Sequence, residues 1–143
     1  MLPRWHILLG AVFTFIFWIV FPETNLIYLI LMFLASFLID FDHYASFVSK
    51  TGKIGLFQAF DYHKEMEKKS IRERKRGIRR KGDFHIFHTI EIHILVLLLG
   101  FLWEGFFFVF IGMLFHSILD IISIAYEGYL YRREFFFVNW LKK

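Results

Sequence analysis

Three short stretches carry groups that bind cations: "DFDH" (Asp40–His43), "FHIFH" (Phe84–His88) and "HSILD" (His116–Asp120). Asp40 and His43 are i,i+3, His85 and His88 are i,i+3, and His116 and Asp120 are i,i+4. On helices each pair therefore shares a face. Carboxylate-x-x-His is also the spacing that metal sites in four-helix bundles use. The chain has no cysteine, and imidazoles with carboxylates suit Zn²⁺, and also Mn²⁺ or Fe²⁺. With His6 and Asp42 the candidate ligands exceed the needs of one tetrahedral ion, so more than one ion could be held. Asp42 lies roughly 200° round a regular helix from Asp40. Either the helix loosens there, or Asp42 serves another ion or a supporting role; if it is not a ligand, it is the candidate general base.

These residues sit among apolar sequence. Of 143 residues 57% are apolar and 21 are phenylalanine, more than so short a soluble chain can bury. Lipid is the obvious environment for the excess. A single integral membrane domain, residues 1–143, is expected, all-α, with spans over about 5–21, 25–43, 84–103 and 106–126. "PETN" joins the first two, with Pro22 forcing a turn and Thr24 or Asn25 able to cap the next helix. Little more than Glu104-Gly105 joins the last two. Joints this short make antiparallel neighbours, so the spans read as two helical hairpins.

The basic loop, about 50–83, separates the hairpins. From Lys50 to Phe84 the chain holds 12 of its 17 Lys and Arg against five acids, a net of +7. The positive-inside tendency makes this loop cytoplasmic. Both termini are then cytoplasmic too, in a multi-pass protein of the cell (inner) membrane. Juxtamembrane basic clusters attract anionic lipid headgroups, and that reading is preferred here over nucleic acid. "IGLFQAF" (Ile54–Phe60) and the tail "YLYRREFFFVNWLKK" have the character of interfacial helices. The sequence does not fix an oligomeric state.

Depth then tests the ligand set. At about 1.5 Å per residue, Asp40 to His43 lie roughly 22–27 Å from the outer end of span two. By the same rise His116 and Asp120 lie roughly 16–22 Å from the outer end of span four. His85 and His88 sit in the first turns of span three, and His6 in the first turn of span one. All four spans deliver His or Asp to one band in the inner leaflet, and ionisable groups inside spans tend to be functional. A cation there would also offset the clash of Asp40 and Asp42 with a helix C-terminus; a salt bridge to the basic loop would do the same. Of the remaining residues, His93 reads as packing or polar glue and Glu91 as a carboxylate able to orient a ligand histidine. His63 and Glu104 read as solvated.

The same residues resemble the pattern of the YdjM-type integral membrane metal-dependent hydrolases. "RWHILLG" resembles that family's N-terminal histidine element, "DFDH" matches its Asp-x-Asp-His, and "FHSILD" matches its final His and Asp. The third element, His-Arg-Gly-x-Thr-His-Ser, is only approached by "RKGDFHIFHT", so either His85 or His88 takes that ligand position. The resemblance implies a distant similarity to zinc-dependent phospholipase C and zinc single-strand nucleases, and hence phosphoester hydrolysis. Hydrolysis by a water activated at a divalent metal fits that chemistry, with an anionic phospholipid or other amphipathic phosphoester as substrate. Two rivals are a divalent-cation binder or conduit and a haem-binding electron carrier. Clustering at one face counts against a conduit, whose sites lie near the midplane; the aspartates count against haem.

Overall fold

The structure, a computed structural model, describes residues 3–142, and every regular element among them is helical. Four apolar helices form the body: α1 (Pro3–Val20), α2 (Leu26–Leu38), α5 (Ile90–Leu99) and α6 (Gly105–Tyr126). Between them α3 (Phe41–Thr51) and α4 (Leu56–Lys75) cap one end, and α7 (Phe137–Leu141) lies in the tail. Two 3₁₀ turns, Ile86–His88 and Leu130–Arg132, complete the described elements. Two helical segments, Leu26–Thr51 and Gly105–Tyr126, are long and apolar enough to cross a membrane. Helices α1 and α5 are apolar but shorter.

Asn25 caps α2 by accepting from the Ile27 N–H at 2.9 Å, which selects it over Thr24. The two hairpins form as expected. Gly10 of α1 faces Ser36 of α2, and Gly100 at the end of α5 faces Phe107 of α6. Helices α2 and α6 run side by side in the same direction, in a register that repeats every four residues. A Cβ at Gly112 would collide with the Met32 carbonyl oxygen, so only glycine admits this approach. One turn on, His116 Nδ1 donates to the Ser36 carbonyl at 2.9 Å. One turn further, Asp120 stands beside Asp40. The close contact thus fixes the rung on which the acids meet.

Burial is inverted relative to a soluble bundle. Among the described residues, buried side chains are as often polar as apolar, with His6, Ser36, Asp42, His88, Thr89, His93, His116 and Asp120 all inside. Meanwhile Phe15, Ile19, Leu95 and Ile122 stand exposed on the outer faces. That arrangement suits lipid outside and a polar site within.

Three local expectations change. Span two is not one continuous helix: α2 ends at Leu38 and α3 starts at Phe41, so the helix does loosen at Ile39-Asp40. Span three does not begin as a helix at Phe84. The segment is extended, then a 3₁₀ turn, and α5 has only ten residues. Its Phe87 N–H is drawn to Asp42 Oδ2 at 3.1 Å instead of to a helical carbonyl. His85 and His88 therefore do not share a helix face. The basic loop, finally, is largely the 20-residue α4, docked on α3 through Ala59, through Phe47 against Tyr62, and through Tyr44 Oη donating to the Ile54 carbonyl.

The tail folds back across the same end. Ile90 N–H donates to the Phe135 carbonyl, Phe84 stacks on Trp140, and Gly82 N–H donates to the Arg132 carbonyl. Glu91 accepts from the Phe137 and Val138 N–H groups at 3.0 and 3.3 Å. It anchors the first turn of α7 and does not orient a ligand histidine.

Candidate metal centre

Asp40, His88, His116 and Asp120 each turn one ligand atom to a common point, all within 4.8 Å of one another. They arrive from four places: the α2–α3 break, the 3₁₀ turn before α5, and two successive turns of α6. His88 Nε2 lies 3.2 Å from His116 Nε2. Asp40 Oδ1 lies 3.4 Å from His116 Nε2 and 3.6 Å from His88 Nε2. Asp120 Oδ2 lies 3.6 and 3.8 Å from the same two nitrogens. Ligands at about 2.0–2.1 Å in a tetrahedron stand roughly 3.3 Å from each other. The four atoms are therefore already close to the edges of such a polyhedron.

The outer nitrogens settle what the inner ones can do. His88 Nδ1 donates to Asp42 Oδ2 at 3.0 Å, and His116 Nδ1 donates to the Ser36 carbonyl at 2.9 Å. Both acceptors lack a proton to give, so in each neutral ring the lone pair lies on Nε2. Two lone pairs and two carboxylates then converge on one buried point. Such a set repels itself unless a metal ion or protons on the imidazoles join it, Arg133 already offsetting part of the charge of Asp120, and residues of this kind fit a divalent metal ion. Carboxylate and carbonyl partners on the far ring nitrogen are the usual support for ligand histidines.

A second group, Asp42, His43 and His88, also brings ligand atoms within 4.8 Å. Here His85 joins from outside: its ring lies 3.7 Å from that of His43, and its Nδ1 is 3.5 Å from Asp42 Oδ1 without a hydrogen bond. His43 Nε2 is 3.4 Å from Asp40 Oδ1. His6 is fully buried, stacked on His116 with ring centroids 3.9 Å apart. Its Nε2 approaches Asp120 Oδ1 to 3.1 Å without hydrogen-bond geometry, so both its nitrogens remain unbonded. Buried polar atoms without partners are rare, and four of them, on His6, Asp42 and His85, surround this site.

All eight predicted site residues thus gather here, with His88 inside the four-atom set and His85 at its margin. Sequence reasoning missed three others. Arg133 donates to Asp120 Oδ2 at 2.8 Å. Ser36 serves through its carbonyl, which no side-chain pattern announces. His63 is not simply solvated: its Nε2 donates to the His43 carbonyl at 3.1 Å, and burial lowers its pKa. His93, as expected, is polar glue; it donates to the Thr89 carbonyl and accepts from Ser117 at 3.0 Å.

A cleft of about 280 Å³ opens beside the site, lined by His43, His85 and His88 together with Arg132 and Arg133. At its rim Asp83 pairs with Lys50. Burial raises the carboxyl pKa of Asp83, but the Lys50 ammonium outweighs that and holds it below the usual range. No family model, curated protein or solved structure matches the chain. The chemistry of the site therefore rests on its own geometry.

Proposed function

We propose that the protein is a membrane-embedded, metal-dependent hydrolase of phosphoesters, with a phospholipid as the favoured substrate class. The observation that supports this most is the convergence of two Nε2 lone pairs and two carboxylates on one buried point beside an open cleft. In this reading α1, the segment 25–43, the segment 84–103 and α6 cross the bilayer, both termini and α4 are cytoplasmic, and the site lies at headgroup depth. Ile54, just before α4, and Phe57, in its first turn, are 77% and 83% exposed and would rest in the headgroup layer near anionic lipids.

Asp40, His88, His116 and Asp120 would hold Zn²⁺, or Mn²⁺ or Fe²⁺ in its place. An ion so bound supplies Lewis acidity toward a phosphoryl oxygen and lowers the pKa of a water it holds. Asp42 Oδ2 keeps His88 in the tautomer that presents Nε2. Asp42 Oδ1, which has no hydrogen bond, is the atom able to take a proton, with His85 beside it. Arg133 shares the charge of Asp120. Of the second group, Asp42 and His43 would be left to hold a further ion, since both nitrogens of His88 are already engaged.

The test is elemental analysis of the purified protein followed by a phospholipid panel. About one tightly bound metal or more, with release of phosphate or headgroup, is expected. Metal without turnover of any phosphoester would leave a cation-binding protein instead. No metal would remove the reading altogether.

A further inference from the structure

We propose that Arg132 is the phosphate-recognition residue of the cleft, binding the anionic oxygens of a substrate whose headgroup lies between it and the histidines. This rests on the phosphoester reading above. Three observations on Arg132 carry it. Its side chain is only 17% exposed, yet Nη1 is buried without a hydrogen bond. Its charged neighbour, Glu73 Oε2, stands 3.7 Å away in an ion pair without hydrogen-bond geometry, so a closer anionic acceptor would satisfy it better. It lines the same cleft as His43, His85 and His88, so an anion there could reach both. Its backbone is held on both sides: the N–H donates to the Tyr129 carbonyl at 2.8 Å, and the carbonyl accepts from Gly82 at 2.9 Å.

The neighbouring charges divide the work. Arg133 is committed to Asp120 at 2.8 Å, whereas Arg132 Nη1 stands 3.7 Å from Glu73 without a hydrogen bond. Of the acids lining the cleft, Asp83 pairs with Lys50 and Glu134 with Lys81 at 3.8 Å, while Glu67 and Glu127 also face it. Of the two cleft arginines, Arg132 thus has the looser ion pair, and a guanidinium can fork onto two phosphate oxygens. The cleft volume of about 280 Å³ suits a phosphorylated headgroup. The acyl chains of a lipid substrate would have to stay outside.

Inorganic phosphate is the probe, titrated calorimetrically into metal-loaded protein. Arg132→Gln should weaken phosphate binding roughly 10- to 100-fold, the scale of a charge-assisted pair, at unchanged metal content. Arg132→Lys should recover part of the loss. Glu73→Gln should leave phosphate affinity unchanged or tighter, because it removes the nearest competing acid. Wild-type affinity in Arg132→Gln would overturn the proposal. So would an equal loss in Glu73→Gln with an equal drop in melting temperature, which would make Arg132 a structural tie to α4. Phosphate binding through Arg132 without cleavage of any ester would sink the hydrolase reading and leave this one standing. Normal ester turnover in Arg132→Gln would do the reverse.

Discussion

His88 and His116 face each other through Nε2 at 3.2 Å while Asp42 and the Ser36 carbonyl hold their Nδ1 protons. Two neutral imidazoles so held cannot hydrogen-bond each other. If a cation joins them, as proposed, removing either ring should release it. His88→Ala and His116→Ala are expected to purify with less than a tenth of the wild-type metal. Elemental analysis of the detergent-solubilised protein checks this. Wild-type metal in both variants would place the ion elsewhere and leave the cluster held by protons alone.

Asp42 is the residue whose role the geometry sharpens most. Its Oδ2 accepts from both His88 Nδ1 and the Phe87 N–H. Asp42→Asn keeps the shape but loses the charge, and loss of such a supporting carboxylate costs about 10- to 100-fold in metal affinity. Competition with a chelator reads that directly. If the Asp42→Asn variant keeps full affinity and loses only turnover, Asp42 acts solely as a base.

Gly112 should be intolerant of any side chain, because a Cβ there would collide with the Met32 carbonyl oxygen and come within 2.9 Å of the Ala35 Cβ. Gly112→Ala must push α6 off α2 and shift the His116 and Asp120 rungs together. Overpacking of this kind costs about 1–3 kcal/mol. Thermal melts should show that loss together with weaker metal binding. A variant that melts lower but binds metal normally would break the link between the helix contact and the site.

What is legible in the sequence is local and periodic. Hydropathy marks the apolar helices, and i,i+4 spacing places His116 and Asp120 on one face. Counting residues from the turns sets both aspartate clusters at one depth. What stays hidden depends on partners distant in sequence. The 3₁₀ turn at Ile86–His88 forms because Phe87 and His88 are drawn to Asp42, 45 and 46 residues earlier. No local propensity in "FHIFHT" announces that, so a regular helix is the natural expectation and nothing local ranks His85 against His88. Arg133 is hidden similarly, since its role depends on the tail folding back through Glu91, Phe135 and Trp140. α4 is obscured by its charge, because a helix with so little buried surface shows almost no apolar stripe.

The Lys50–Asp83 pair gives a pH dependence outside the spans. Burial pushes the folded pKa of Asp83 up, but Lys50 outweighs it and brings the pKa below the unfolded value of about 3.9. The pair therefore contributes stability above that value and loses it as pH falls through the folded pKa. The Lys50 side chain is 45% exposed, so solvent screening limits the contribution to under about 1 kcal/mol. Lys50→Met should melt slightly below wild type at pH 7, and the two curves should meet below about pH 4. A gap that persists unchanged into acid would assign the effect to the Lys50 stem.

The four-span arrangement can be tested by position, because the chain has no cysteine to remove. Thr24→Cys and Glu104→Cys place a thiol in the α1–α2 and α5–α6 joints, whereas Lys75→Cys and Lys142→Cys place one near the metal-site end of the fold. With both hairpins crossing, an impermeant maleimide added to intact cells should label positions 24 and 104 only. Positions 75 and 142 should react after the membrane is opened. If only Leu26–Thr51 and Gly105–Tyr126 crossed, positions 24 and 104 would fall on opposite sides, and 142 would share the side of 24. The proposed lipid substrate depends on this outcome, since cytoplasmic placement would put the cleft and the net +7 loop beside the leaflet that carries anionic lipids.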